Sequence, residues 1–137
     1  MTAYLVDSTV WIRHLRGNAA VTQRLADAVS HGDVLLSCGP IAMELIAGAN
    51  ERNDRAVDRI VQSVRQLTID QHEDFAAAGR LSVMARRRGL TVRSLVDCLI
   101  AAIAIRHGGV VVSHCDADFD RLTEVSPLRA ERWDDVA

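Results

Sequence analysis

The sequence predicts an α/β protein, a three-layer α/β/α sandwich around a mainly parallel sheet. Two observations carry this. Short runs of β-type residues (AYLV, VLLS, VVVSH) alternate with longer stretches whose apolar residues recur every three or four positions, the pattern of strands joined by crossover helices. With 137 residues, 49% of them hydrophobic, the chain can also cover both faces of such a sheet within one domain, expected to span 1–137.

The elements follow in order. AYLVD reads as the first strand, and Ser8 or Thr9 can cap a helix through Leu15, which leaves Asp7 at the strand's carboxyl end. Val21, Leu25 and Val29 mark a second helix, stopped by His31-Gly32-Asp33 before a strand over Val34 to Ser37. Pro40 suits a first helical turn and Gly48 an end, so GPIAMELIAG is a short helix carrying Glu44. Val57, Ile60, Val61 and Val64 mark another helix, and Gln66 to Ile69 a short strand. Asp70 to Arg88, with Phe75, Ala78, Leu81 and Ala85, reads as a long helix followed by the loop RRRGLTVR. Ser94 opens a helix to about Arg106, His107-Gly108-Gly109 stops it, VVVSH is the most strand-like run, and the tail around Trp133 forms a final strand. There is no internal repeat and no low-complexity segment.

Composition removes several functions. All 16 basic residues are arginine, so neither a Walker A phosphate loop nor a Schiff-base lysine can be present. A net charge of −2 predicts no global attraction to nucleic acid, so any such binding must use local patches. Cys38, Cys98 and Cys115 are odd in number and lack C-x-x-C spacing, which fits buried thiols in a reducing cytosol rather than disulfides or structural zinc. No apolar run of about 18 residues and no signal-peptide pattern occurs, so a cytoplasmic protein without membrane attachment is expected.

Position, rather than number, singles out the acids. Asp97 is the one charge in LVDCLIAAIAI, Glu44 the one charge in GPIAMELIAG, and Asp7 and Asp116 follow AYLV and VVVSHC. A carboxylate taken out of water costs several kcal/mol unless it is paired, hydrogen-bonded or bound to a metal. If the four converge, a divalent cation removes their mutual repulsion, which points to Mg2+ or Mn2+. Functional groups of open α/β sheets gather beyond the carboxyl ends of the strands, where Asp7, Asp97 and Asp116 are placed. Each residue also has a plainer reading. Ser94-x-x-Asp97 has capping-box spacing, Asp7 can cap the first helix, and Asp116 or Asp118 can cap the last. Ser8 can orient a metal-bound carboxylate or simply cap. His114, Cys115 and Asp116 hold potential zinc ligands, but no partner pair has zinc spacing. Arg93 is the better candidate for a phosphate contact, while Arg86 and Arg87, next to Arg88, can bind phosphates or complement a helix end.

Together, VDSTVWI, ELIAG, RRRGLTVRSLVDCLIAAIA and HCDADFDRL resemble the PIN-domain family, and more closely its VapC-type toxins of bacterial toxin–antitoxin systems, over nearly the whole chain. The resemblance implies an α/β/α domain, a Mg2+- or Mn2+-dependent endoribonuclease acting on RNA, inhibition by a cognate VapB-type antitoxin, and commonly a homodimer. On motif match, Asp7, Glu44 and Asp97 are the first three acids. Asp116 ranks first as the fourth, with Asp118 as an additional ligand or water-positioning residue. The implied chemistry is metal-assisted phosphodiester hydrolysis, with Asp7 and Asp97 on the metal and Glu44 and Asp116 acting through water. An aspartate-dependent phosphotransferase disagrees with Thr9, which stands where a second Asp is needed, and with the missing lysine. A response regulator fails on the same lysine. The remaining alternative is a non-catalytic PIN-like module that binds RNA or protein.

Overall fold

The computed structural model describes residues 1–134, so the last three positions of the expected 1–137 domain lie outside the described residues. The chain runs through β1 (Ala3–Val6), α1 (Ser8–Leu15), α2 (Ala19–Ser30), β2 (Val34–Ser37), α3 (Gly39–Ala47), α4 (Asp54–Ser63), β3 (Arg65–Gln66), α5 (Glu73–Arg87), α6 (Leu95–His107), β4 (Val110–His114), α7 (Ala117–Thr123) and β5 (Arg129–Arg132). The strands form one sheet of order β3-β2-β1-β4-β5, parallel at every pairing. In register, Leu5 sits between Leu36 on β2 and Val112 on β4.

The first crossovers build the sheet outward from β1 through β2 to β3, and the chain then returns to lay β4 against the other side of β1. That reversal makes β1 and β4 the switch point of the sheet, and the crevice beyond their carboxyl ends is where such folds hold ligands. All five residues of β4 are buried, which requires helices on both faces and explains why VVVSH reads as an uninterrupted run. The short edge strands β3 and β5 carry exposed arginines, which discourages pairing with another chain's edge. α6 is apolar around most of its circumference because it packs among α5, α3, α7 and β4, burying Ile100, Ala101 and Ile103. Among the described residues no helix is long and apolar enough to cross a membrane.

Three boundaries differ from the expectation. β3 occupies Arg65–Gln66 instead of 66–69, although the Leu67 amide still donates to the Ser37 carbonyl (2.8 Å). Beyond it the Thr68 carbonyl is drawn off the sheet by Arg106 Nη2 (2.7 Å) and His107 Nε2 (2.8 Å). α5 begins at Glu73 rather than Asp70, because the Asp70 carboxylate accepts from the amides of His72 and Glu73 (3.0 and 2.7 Å) and holds the chain in a turn. β5 ends at Arg132, just before Trp133. Trp133 is instead a core residue whose Nε1 donates to Glu131 (3.0 Å) and whose ring meets Tyr4 edge-on. Two residues on the expected apolar faces, Val29 and Phe75, are largely exposed, while Val21, Leu25, Ala78, Leu81 and Ala85 are buried.

A buried carboxylate paired with a partly exposed arginine ties α5 to α6. Asp74 is 1% exposed and receives Arg106 Nε on Oδ1 (2.7 Å) and Nη2 on Oδ2 (3.0 Å), while Oδ2 also takes the Asp70 amide (2.7 Å). Burial raises the Asp74 pKa, but the Arg106 and Asp70 hydrogen bonds outweigh it and hold the group below the ordinary carboxylate value. With its folded pKa depressed, Asp74 contributes stability above its unfolded value of about 4, and that contribution is lost as pH falls through the lower folded value. Arg106→Ala is expected to lose about 2–3 kcal/mol at pH 7 by leaving Asp74 without its partner. Urea melts should show the difference from the parent shrinking below pH of about 4.

Candidate metal centre

Asp7 stands at the first position after β1, where its amide still donates to the Ser113 carbonyl of β4 (2.9 Å). It also caps α1: the Thr9 amide and hydroxyl both donate to Oδ2 (3.2 and 2.6 Å). The Thr9 hydroxyl in turn accepts the Cys115 amide (3.0 Å), joining the β1–α1 turn to the β4–α7 turn. Capping uses one oxygen only. Oδ1 of Asp7 is buried with no partner.

Glu44 is brought over the same crevice by α3, whose Ile41 and Leu45 are in the core. Its Oε1 accepts the Ser8 hydroxyl (3.1 Å), so Ser8 holds Glu44 and not its neighbour Asp7.

Ser94 caps α6 through a bond from the Asp97 amide to its hydroxyl (3.3 Å). A capping box would have the Asp97 carboxylate take the Ser94 amide in return. That amide goes instead to Oδ2 of Asp118 (3.1 Å), which also accepts the Arg93 amide (3.0 Å). The Asp97 carboxylate is thereby left free of the cap, and its Oδ2 is the second buried oxygen without a partner. Asp116 caps α7 by accepting the Asp118 amide on Oδ1 (2.9 Å), while its own amide donates to His114 Nδ1 (3.1 Å). That bond leaves the imidazole proton on Nε2, which lies 3.3 Å from Asp120 Oδ1 without hydrogen-bond alignment. Burial lowers the His114 pKa and keeps the ring neutral.

The structure therefore brings together two overlapping triads, Asp7–Glu44–Asp97 and Asp97–Asp116–Asp118, each with carboxylate oxygens within 4.8 Å of one another. Asp97 belongs to both. Among the described residues no arginine pairs with Asp7, Glu44, Asp97 or Asp116, and only Asp118 has a cationic neighbour, Arg121 at 3.3 Å. The electrostatic consequence is large. Desolvation, partly offset by the Thr9 bonds, pushes Asp7 up to about 6. Glu44 rises through burial and the Asp116 charge, with the Ser8 bond opposing. Asp97 is driven far above the carboxylate range by burial first, then by the adjoining Asp116 carboxyl and the charges of Asp7, Asp116 and Asp118. Oxygen donors at this density, two of them orphaned and none neutralised by arginine, suit a hard divalent cation.

The other expected residues are placed less centrally. Arg93 is exposed beside Asp118, to which only its backbone is bonded. Arg86 and Arg87 are exposed in the last turn of α5; Arg87 lines a depression with Met84, Arg88, Glu124 and Val125 that includes none of the acids. An apolar groove of about 320 Å³ between α5 and α6, lined by Leu81, Met84, Ile105 and Val125, is likewise apart from the centre. The three cysteines are buried and free, and burial pushes the Cys38 thiol up to about 12 and that of Cys98 to about 11. Sequence reasoning missed Thr9 and His114 as supports. For Thr9 the Asp-x-Thr spacing at a helix start was the available signal; for His114 there was none, since its bond depends on the turn after β4.

Residues 4–125 match the PIN domain family model. The chain is 40% identical over 129 residues to Ribonuclease VapC11 of Mycobacterium tuberculosis and to VapC ribonuclease Mb1587 of Mycobacterium bovis, covering 92% of this chain and 96% of each relative. Among solved structures, VapBC-1 from nontypeable Haemophilus influenzae superposes with a TM-score of 0.75 at 20% identity, covering 96% of this chain and 98% of that one. DNA-bound VapBC from Salmonella typhimurium gives 0.75 at 22% identity, covering 97% and 99%. These structures support the shared fold, and the sequence matches carry the relationship further: the chain belongs to the PIN-domain family, among its VapC ribonucleases.

Proposed function

We propose that the protein is a Mg2+- or Mn2+-dependent endoribonuclease, the toxin of a type II toxin–antitoxin system, with its active centre at Asp7, Glu44, Asp97 and Asp116. The observation that carries this reading is the pair of buried oxygens, Asp7 Oδ1 and Asp97 Oδ2, left without partners in one carboxylate cluster. A cluster built for helix capping would have no reason to leave them bare, since an unsatisfied buried acceptor costs about 1–3 kcal/mol.

In this reading Asp7 and Asp97 hold the ion directly. When bound, the cation polarises a phosphate oxygen and lowers the pKa of a coordinated water. Glu44, aimed by Ser8, and Asp116, aimed by the Asp118 amide, would orient the attacking water for in-line displacement, one of them taking its proton as the P–O bond to the leaving oxygen breaks and that oxygen is protonated from solvent. Asp118 is assigned to the edge of the centre, since its Oδ2 already serves the Arg93 and Ser94 amides and Oδ1 faces Arg121. Arg93 contacts a substrate phosphate, with Arg86 and Arg87 contributing further out. The partners are RNA, a VapB-type antitoxin that covers the centre, and a second copy of the chain, and the setting is the cytoplasm, consistent with three free thiols.

Asp97→Asn is expected to keep the fold and lose nearly all RNA cleavage, because it preserves shape but removes a ligand's charge; near-parental cleavage in saturating Mg2+ would refute the assignment. Thermal melts supply the second test. Asp7 has a raised folded pKa, so the metal-free protein is expected to lose stability as pH rises from about 4 to about 6, where the folded state holds a proton that the unfolded state releases. Asp7→Asn should abolish that component and melt at or above the parent at pH 7 without metal. Mg2+ at a fixed concentration about 100 times its Kd at pH 7 should stabilise the parent by about 2.7 kcal/mol and should stabilise the variant much less.

A further inference from the structure

The acidic centre is a poor place for a polyanion. A cation at the centre can neutralise charge at the reacting phosphate, but the neighbouring phosphates still face Glu44, Asp116 and Asp118, and the whole chain carries net negative charge. Binding a strand therefore requires cationic side chains on the path leading away.

One path begins at the centre itself. A groove of about 620 Å³ is lined by Thr9, Ile12, Arg13, Arg16, Gly17 and Asn18. Thr9, Ile12 and Arg13 follow one another at i, i+3 and i+4 on one face of α1, and Arg16, the C-cap residue at i+7, continues that face. At about 1.5 Å per residue, Arg13 and Arg16 lie about 6 and 10 Å further along the helix axis than Thr9. Thr9 is the residue whose hydroxyl donates to Asp7, so the groove opens directly beside the first acid.

Both arginines can take up an anion. Arg16 is exposed and, among the described residues, makes no ion pair. Arg13 lies 3.7 Å from Asp134, but Arg132 holds that carboxylate more closely with two bonds of 2.8 and 3.3 Å, so Arg13 retains most of its charge for a ligand. Two arginines near a helix C-terminus also complement the helix dipole. That role accounts for their sign, but it does not require a polar groove running back to a site acid.

We infer that this face of α1 is the track along which a single RNA strand leaves the acidic centre, with Arg13 and Arg16 each holding a phosphate beside the scissile one. The inference rests on the ribonuclease reading for its ligand and adds the strand's path and two positioning residues. Occupancy of the groove by an acidic protein segment is the competing outcome.

Binding of a fluorescently labelled 12-nucleotide RNA, followed by anisotropy across a range of salt concentrations, tests it without depending on cleavage. Against the parent, Arg13→Ala/Arg16→Ala should weaken binding several-fold at low salt, and the slope of log K against log salt should lessen by about 0.7 for each phosphate that is no longer neutralised. Arg13→Lys/Arg16→Lys, which keeps the charge, should restore the slope. Arg59→Ala on α4 should match the parent, and equal melting temperatures would exclude unfolding as the cause. In cleavage assays the alanine pair should raise KM for this RNA while leaving kcat nearly unchanged. Unchanged affinity and slope in the alanine pair would overturn the track. A parent that binds RNA with the expected arginine dependence but never cleaves it would uphold the track while refuting the ribonuclease reading.

Discussion

The organising constraint of this molecule is that acidic side chains from four separate elements are held close together where water screens them only in part. Repulsion at such separations is costly in a medium of low effective dielectric, so the folded chain must supply the energy that holds them there. It does so with the sheet. Asp7 hangs from the end of β1 by an amide bond to β4, and Asp116 follows directly from β4, so the ladder between the two central strands sets one side of the cluster. α3 and α6, buried along their apolar faces, bring Glu44 and Asp97 to the other.

A second layer of polar contacts separates capping from chemistry. Thr9 occupies one oxygen of Asp7, Ser8 one of Glu44, and the Asp118 amide one of Asp116. Asp118 does the corresponding work for Asp97 indirectly, by taking the backbone amides at the start of α6 so that Asp97 need not. In each case the carboxylate is oriented through a bond that leaves it an oxygen to spare. The result is a group of oriented but unneutralised acceptors, which is how a protein prepares for a cation rather than for an ion pair.

Most of this architecture was legible in the sequence because it rests on local signals. Uninterrupted β-type runs gave the strands, and lone charges in apolar helices picked out Glu44 and Asp97. The choice between Asp116 and Asp118 was not legible, since Asp-x-Asp at a helix start puts both carboxylates in the same small region. The two differ in their backbone partners: Asp118 reaches amides 24 and 25 positions earlier in the chain. The misplaced start of α5 has a local origin: the Asp70 carboxylate takes the amides of His72 and Glu73 and holds a turn that helical periodicity does not reveal. Val29 and Phe75 fell on the solvent side because a helical period identifies apolar positions without saying how wide the buried stripe is.

The strand order also governs when the centre can exist. β1 precedes its partner β4 by more than a hundred positions, and Asp116 follows Asp7 at a similar remove, as the bond from the Cys115 amide to Thr9 illustrates. Pairings of such long sequence separation form late in folding. Until β4 is in place, Asp7 and Glu44 have neither Asp97 nor Asp116 beside them. The four can be assembled only once Asp97 and Asp116 have joined the chain and β4 has paired with β1.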